Sequence, residues 1–418
     1  MNIRKGNKKI TSSQKTVVIL ATMDTKGVEC DFLRKEIQSL GFNAFLIDIS
    51  VVGVTNIEVN IYKDEVALEG GSSMAALLEH PSRQEGSEVM VKGSIKLMNQ
   101  LIANQKVDAI VSLGGTQGTN NGCKVMQALP YAFPKLMVST MASGDTSAFV
   151  GIKDITMMFS VSDILGLNPF FRRILSNAAG AACGMAESYQ KIKFAEGKPI
   201  VGISNLGVLT QGTVKAIELF KQRGYESIVF HAIGSGSRAM EQMMKDGIIT
   251  AVFDYGLGDI ADALYDGVRA ADVERLTVAG KLGLPQVIVP GGIDHIGILL
   301  DEPNTVPEKY KNHQYSYHNP VIFVPRTNGD EMIVIMTEIS KRLAHSKTKT
   351  VFMLPTKGVS SYSAADGDLF DPKSDHVLQL AVKKLLPKTI ELIEMDNNAE
   401  DTAFVEKAVD TLISLIEA

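Results

Sequence analysis

The run Gly114-Gly115-Thr116-Gln117-Gly118-Thr119 sets three glycines among two threonines. Glycine lets a backbone approach a ligand closely, and successive N–H groups in such a loop form a nest for phosphate or carboxylate. No Gly-Lys-Ser/Thr follows, so the run is not a Walker A loop; a tight structural turn is the plainer reading. A second candidate is Thr22-Met23-Asp24-Thr25-Lys26-Gly27, where Asp24 and Thr25 suit helix N-caps and Lys26 adds a point charge to an anion-binding helix start. Asp48 stands where a ribose-binding acid often stands. A third is Thr140-Met141-Ala142-Ser143-Gly144-Asp145-Thr146. Ser143, Gly144 and Thr146 are small or hydroxylated, and Asp145 suits either an Asx-turn or a magnesium ion, which prefers oxygen ligands.

Further along, Gly234-Ser235-Gly236-Ser237-Arg238-Ala239 fits G-x-G-x-x-A, with Asp254 downstream as in a dinucleotide fingerprint. The loop follows the second strand of its domain rather than the first. Phosphate or carboxylate binding by Gly234, Ser235 and Gly236, clamped by Arg238, is therefore the better reading. Asp294 and His295 suggest an acid/base pair, since histidine titrates near neutral pH, but sequence neighbours often point apart. His231 reads as a core histidine. His313 to His318 reads as surface loop, and Ser360 to Asp375 as a solvated loop or flap without EF-hand spacing. G-x-S-x-G, H-E-x-x-H and paired C-x-x-C motifs are absent, so serine and zinc hydrolase chemistry have no support.

These loops need strands and helices to position them. Continuous apolar runs at Val17–Ala21, Ala44–Ile49, Ala109–Leu113, Leu136–Ser139 and Ile155–Ser160 suit strands buried on both faces, hence a parallel sheet covered by helices. The pattern repeats at Ile200–Ser204, Ser227–Ile233, Thr250–Asp254, Gln286–Val289, Val321–Val324, Thr350–Leu354 and Thr389–Glu394. Helices are expected at about Gly27–Leu40, Asp163–Lys193, Gly212–Arg223 and Asp401–Glu417, with Gly41 and Gly224 as C-caps. The expected fold is α/β: two Rossmann-like, doubly wound parallel-sheet domains with ligands in an interdomain cleft, at the carboxyl ends of the strands. The expected limits are a flexible basic tail over 1–15, one domain over 16–195 and another over 196–418, joined near Ala195 to Lys198.

The 418 residues agree with two or three domains at about 150 residues each. The 42 basic and 47 acidic side chains leave a net charge of −5, which carries no nucleic-acid footprint. Three scattered cysteines argue against a disulfide framework. With no signal peptide and no run near the roughly 18 apolar residues of a membrane span, a cytoplasmic protein without membrane partners is expected.

The same loops carry a resemblance. The segments Ile19 to Gly27, Leu113 to Thr119, Pro134 to Thr146, Asp154 to Val161, Asn177 to Ala181 and Val229 to Glu241 resemble the UPF0261 family, also called the Tm-1-like ATP-binding domain. The resemblance runs from about Thr16 to Ala418. It implies two Rossmann-like domains that bind ATP, with magnesium, in a homo-oligomer, and it implies no settled reaction. Gln117 and the Asn120-Asn121 pair depart from the family's loop. Pro290-Gly291-Gly292-Ile293-Asp294-His295 stands where the family usually has Pro-Gly-Ala-Leu-Asp-Met, so no role for His295 follows from it. The leading expectation is a nucleotide-binding protein, either an ATP-dependent kinase or ligase on a small carboxylic acid or a non-catalytic, nucleotide-dependent interaction protein. An NAD enzyme is a third alternative. In the first, Asp24, Lys26 and Asp145 are the catalytic candidates, with Asp145 on the metal. Thr25, Gly114, Gly115, Thr116, Gly118, Thr119, Ser143, Gly144 and Thr146 bind the nucleotide, and Gly234–Arg238 takes the acid.

Overall fold

The computed structural model describes residues 14–79, 82–192, 197–346 and 349–418. The chain divides into two compact units, Met1–Lys193 and Phe194–Ala418. The expected basic tail and the expected joint fall largely outside the described residues.

The first unit holds strands β1 (Thr16–Ala21), β2 (Asn43–Asp48), β3 (Ala109–Gly114), β4 (Lys135–Ser139) and β5 (Thr156–Phe159). Its helices are α1 (Met23–Ser39), α2 (Lys63–Glu69), α3 (Met74–Glu79), α4 (Arg83–Ala103), α5 (Thr116–Gln127), α6 (Ser147–Val150) and α7 (Pro169–Ser188). All strand pairs are parallel, in the order β2-β1-β3-β4-β5. Alternation along β1 explains why its run is apolar throughout. Val17, Ile19 and Ala21 pack with α1 and α7, while Val18 and Leu20 pack with α2 to α5.

The long helix expected from Asp163 to Lys193 begins only at Pro169 and ends at Ser188. Gly166 takes a positive φ of 76°, and Asn168, extended because proline follows it, caps the helix by accepting from Phe171 N at 2.8 Å. Helix α1 begins earlier than expected, at Met23, because Asp48 Oδ1 and Ser50 Oγ accept from the amides of Met23 and Asp24 at 3.1 and 3.0 Å.

The second unit holds β6 (Ile200–Asn205), β7 (Glu226–His231), β8 (Ala251–Gly256), β9 (Gln286–Gly291), β10 (Ile298–Leu299), β11 (Tyr315–Asn319), β12 (Ile322–Pro325), β13 (Thr350–Pro355) and β14 (Glu391–Met395). Its helices are α8 (Thr210–Gln222), α9 (Gly234–Lys245), α10 (Gly258–Leu264), α11 (Val278–Leu282), α12 (Gly329–Leu343), α13 (Pro372–Leu385) and α14 (Thr402–Glu417). Its main sheet is parallel, in the order β14-β13-β9-β8-β6-β7. Counted from each unit's first strand, both sheets therefore share one order, with a sixth strand added in the second. In each, the order reverses beside the first strand, between β1 and β3 and between β6 and β8, and such switch points open a crevice at the strands' carboxyl ends.

The Val321–Val324 run does not join this sheet. It forms β12 of a separate antiparallel sheet, β10-β12-β11. Asn319 Oδ1 accepts from the amides of Val321 and Ile322, turning the chain back on β11. Tyr310 and Phe323 give the insert a small core of its own. The His313–His318 segment, read as loop, supplies most of β11 for the same reason.

Candidate functional site

Strands β1, β3 and β4 are neighbours, so the loops after them, 22–26, 114–119 and 140–146, emerge along one edge of the first sheet. Helix α5 starts directly after β3. Its N-cap is Gly115, which has no side chain to cap it. Thr119 N bonds Gly115 O at 2.8 Å, but the amides of Thr116, Gln117 and Gly118 meet no acceptor among the described residues. Three such N–H groups at the positive end of a 12-residue helix are a favourable place for an anion.

The glycines divide by role. A Cβ on Gly114 would lie 2.6 Å from Gly118 Cα, so this pair lets α5 pack close to β3. A Cβ on Gly115 would meet nothing nearer than Thr140 Oγ1 at 3.9 Å, so there is open space beside Gly115 itself. Thr119 is buried and bonds Ser139 Oγ at 2.7 Å. Thr116 is exposed, with Oγ1 3.5 Å from Met141 Sδ. Gln117 Nε2 is held by Ser87 Oγ and Asn121 Oδ1 at 2.9 and 3.1 Å, which keeps its side chain off its own amide.

The loop after β1 is more committed. Asp48 is buried and serves the start of α1, through Met23 N and Ser50 N, rather than standing free for a ribose. Thr25 Oγ1 pairs with Thr22 Oγ1 at 3.1 Å, and Lys26 Nζ donates to the carbonyl of Ile164. Asp24 Oδ2 accepts from Gly53 N at 3.1 Å, whereas its buried Oδ1 has no hydrogen-bond partner among the described residues. Asp145 Oδ1 accepts from Ser147 N at 2.9 Å, forming the Asx-turn, and that bond holds the exposed carboxyl below its ordinary pKa. Ser143 and Gly144 are exposed and Thr146 half-buried beside it. No cluster of three His, Cys, Asp or Glu able to hold a metal occurs among the described residues. Magnesium delivered on nucleotide phosphates needs only one or two carboxylates; of the two candidates Asp145 is exposed, whereas Asp24 has Oδ1 buried and Oδ2 on Gly53 N.

In the second unit, Gly234–Arg238 opens α9 after the edge strand β7, beside the switch point rather than on it. Both glycines are required by packing: a Cβ on Gly234 would lie 2.4 Å from Ala270 O, and on Gly236 2.1 Å from His231 O. Ser235 and Arg238 are exposed, and Arg238 Nε donates to Gly234 O at 3.2 Å. His231, read as a core residue, is exposed at the strand end. At the switch point itself, Glu400 Oε1 accepts from Gln211 N and Gly212 N at 2.9 and 3.3 Å, so the start of α8 already holds an anion from its own chain.

Comparison with known sequences now places the chain. Residues 15–191 match the N-terminal domain, and 198–416 the C-terminal domain, of the uncharacterised protein family UPF0261. The chain belongs to the UPF0261 family. A UPF0261 protein of Clostridium tetani is 39% identical over 404 residues, covering 96% of this chain and 99% of the relative. One from Mesorhizobium japonicum is 34% identical, covering 89% and 91%. The ToMV resistance protein Tm-1(GCR237) of Solanum lycopersicum is 29% identical, over 97% of this chain and 56% of that protein.

This UPF0261 chain also buries a charge cluster that its sequence conceals. Arg275 is fully buried, and NH1 and NH2 donate to Asp254 at 2.6 and 2.5 Å, Nε to Asp259 at 3.0 Å, and NH2 also to Gly256 O. Asp254 is thereby an arginine partner, not a free ribose acid. Glu241 lies 3.8 Å from Arg275 and accepts from Leu276 N at 2.7 Å. Burial, with repulsion from Asp254, pushes its carboxyl from the ordinary 4.5 up to about 7 against the pull of Arg275. The folded state therefore favours protonated Glu241. Its contribution to stability is complete below pH 4.5 and is lost as pH rises to about 7, on the order of 3 kcal/mol in all. Glu241→Gln should flatten that slope and raise the urea midpoint at pH 8; an unchanged slope would place the titration elsewhere.

Asp294 and His295 do meet: Nδ1 lies 2.8 Å from Asp294 Oδ1, and Nε2 3.0 Å from Arg269 NH1. A guanidinium only donates, so Nε2 accepts and the Nδ1 proton goes to Asp294. Burial and Arg269 lower the His295 pKa, and both ring nitrogens are occupied, so the imidazole is held in place against the Asp294 carboxylate rather than poised as a base. Ser360 Oγ donates to Asp294 Oδ2. The Ser360–Asp375 segment is not a solvated flap: Ser360, Ser363 and Asp375 are buried, and Arg326 ties it down through Asp375 at 2.6 Å and Leu369 O at 2.9 Å.

Proposed function

We propose that this chain binds ATP in its first unit, with the phosphates on the free amides of Thr116, Gln117 and Gly118. One observation carries the reading. Helix α5 opens at the β1/β3 switch point with unpaired amides and open space over Gly115, whereas the starts of α1 and α8 are filled by the chain's own oxygen groups. Thr116 and Ser143, Gly144 and Thr146 of the next loop flank the phosphates, while Thr25 and Lys26 bound the crevice on the α1 side. Asp145, with Asp24 as the second candidate, would hold the magnesium that accompanies ATP, and the ion would supply charge neutralisation on the phosphate oxygens. Phosphoryl chemistry asks mainly for positioning and electrostatics, so the set suits a kinase or ligase acting on a small carboxylate. Ser235 and Arg238, on the glycine frame of Gly234 and Gly236, suit that acid. The Solanum lycopersicum relative is named a ToMV resistance protein, a name that supports a second reading, nucleotide-dependent binding of a partner. The place of Gly234–Ala239 after an edge strand counts against the NAD alternative.

Calorimetric titration of the full chain with ATP, with and without magnesium, tests the proposal. ATP should bind, more tightly with magnesium, and Asp24→Asn with Asp145→Asn should abolish the magnesium effect. ADP or AMP formed with a panel of small carboxylic acids marks an enzyme, and tight binding without turnover marks the partner-binding reading. Absence of ATP binding in both conditions rejects the proposal, as does stabilisation by NAD alone.

A further inference from the structure

Beside the free amides, the carboxyl edge of the first sheet carries exposed apolar side chains. Met141, Phe159 and Val161 are 38%, 39% and 61% exposed. Alternation in β5 puts Met157 and Phe159 on the α5 face, since Met157 Sδ lies 4.0 Å from Cys123 Sγ of α5 while Met158 packs on the opposite core. Phe159 is paired with Ser139, whose Oγ bonds Thr119 Oγ1 of α5 at 2.7 Å. Met141 Sδ lies 3.5 Å from Thr116 Oγ1. Thr116, Met141 and Phe159 thus step across the ends of β3, β4 and β5 on one face. Two strand spacings are about 10 Å, comparable to the reach of an extended nucleotide from its outer phosphates to its base.

The far end of this row is held in a costly conformation. Val161 takes a φ of 61°, rare for a β-branched residue, inside a γ-turn closed by Ser162 N to Ser160 O at 2.6 Å and braced by Ser160 Oγ to Ser162 O at 2.7 Å. The turn is clamped on both sides. Ser160 N bonds Ser139 O at 3.1 Å, and beyond it Ile164 is fully buried and Gly166 N donates to Glu29 Oε1 at 2.7 Å. Strain of this kind persists where the surroundings over-determine it. Here it sends the chain back toward α1 directly after Phe159, leaving the ring and the Val161 side chain open at the edge.

We propose that Met141 and Phe159, bordered by Val161, form the platform on which the planar heteroaromatic base of the nucleotide stacks, so that the first unit holds both ends of the ligand. A ring face and a polarisable thioether suit a flat base. The proposal rests on the phosphate reading above, and its test separates the two. The full chain and its Phe159→Ala, Met141→Ala and Phe159→Tyr variants are titrated with magnesium ATP and with magnesium tripolyphosphate, which has phosphates and no base. Phe159→Ala should weaken ATP about tenfold and leave tripolyphosphate unchanged, Met141→Ala should act the same way more weakly, and Phe159→Tyr should keep ATP affinity. Unchanged ATP affinity in both alanine variants would place the base elsewhere and leave the phosphate site standing. Equal losses for both ligands would make these side chains structural and overturn the platform. Failure of the native chain to bind either ligand would remove the phosphate site and the platform together.

Discussion

Arg275→Met should lower the stability of the second unit by about 3–5 kcal/mol, read as a fall in its urea midpoint at pH 7. The substitution keeps much of the side chain's length and apolar stem, so packing changes little. Among the described residues it removes the positive charge paired with buried Asp254 and Asp259, which also lies 3.8 Å from Glu241. Glu241 Oε2 and Asp259 Oδ1 already lack hydrogen-bond partners among the described residues. Without the guanidinium, the carboxylates must take up protons or admit water, and either costs folding energy at neutral pH. The loss should shrink at acidic pH, where the carboxylates are neutral. Combining Arg275→Met with Asp254→Asn and Glu241→Gln should recover part of the stability, because the penalty lies in unpaired charge rather than lost contacts. A variant as stable as the native chain at pH 7 would mean that the cluster contributes nothing to folding.

Gly115→Val should weaken ATP binding more than tenfold, which is over about 1.4 kcal/mol, at a stability cost of about 1 kcal/mol or less, since valine is a poorer N-cap than glycine. Gly115 has φ −75° and ψ −158°, which any L-residue adopts, and its Cβ direction is open. The backbone therefore accepts a Cβ there, and a ligand seated on the following amides would meet the valine. Gly114→Ala is the control with the opposite profile. Its Cβ would strike the backbone of Gly118, which cannot move cheaply, so it should cost roughly 1–3 kcal/mol of stability. Normal ATP affinity in Gly115→Val would put the phosphates elsewhere.

Much of the fold was legible because its signals are local and redundant. The runs at Val17–Ala21 and Ala109–Leu113 are apolar on both faces, which suits a central parallel strand, and Gly41 and Gly224 end helices by positive φ. Helix boundaries set by distant groups were not legible. Asp48 and Ser50, on another strand's loop, extend α1 back to Met23. The antiparallel insert escaped notice because Val321–Val324 looks like any short buried strand until its pairing is known. At the site, the glycine loop announced itself, but not which glycine serves packing and which leaves room, since that depends on where Gly118 and Thr140 lie. Arg275 was invisible, because its partners Asp254, Asp259 and Glu241 come together only through the turns around β8 and α9. The likeness of Gly234–Ala239 to a dinucleotide loop was already outweighed in the sequence by its place after the domain's second strand, but motif spacing does not reveal that this strand, β7, lies at the sheet edge.

The placement of the phosphates is tested most directly by the backbone amide resonances of Thr116, Gln117 and Gly118, followed by nuclear magnetic resonance as magnesium ATP is added to the full chain. These three amides should move strongly downfield and saturate together with the calorimetric isotherm, while those of Gln211 and Gly212, already bonded to Glu400, stay in place. Saturable binding that leaves the three amides unmoved would contradict the account.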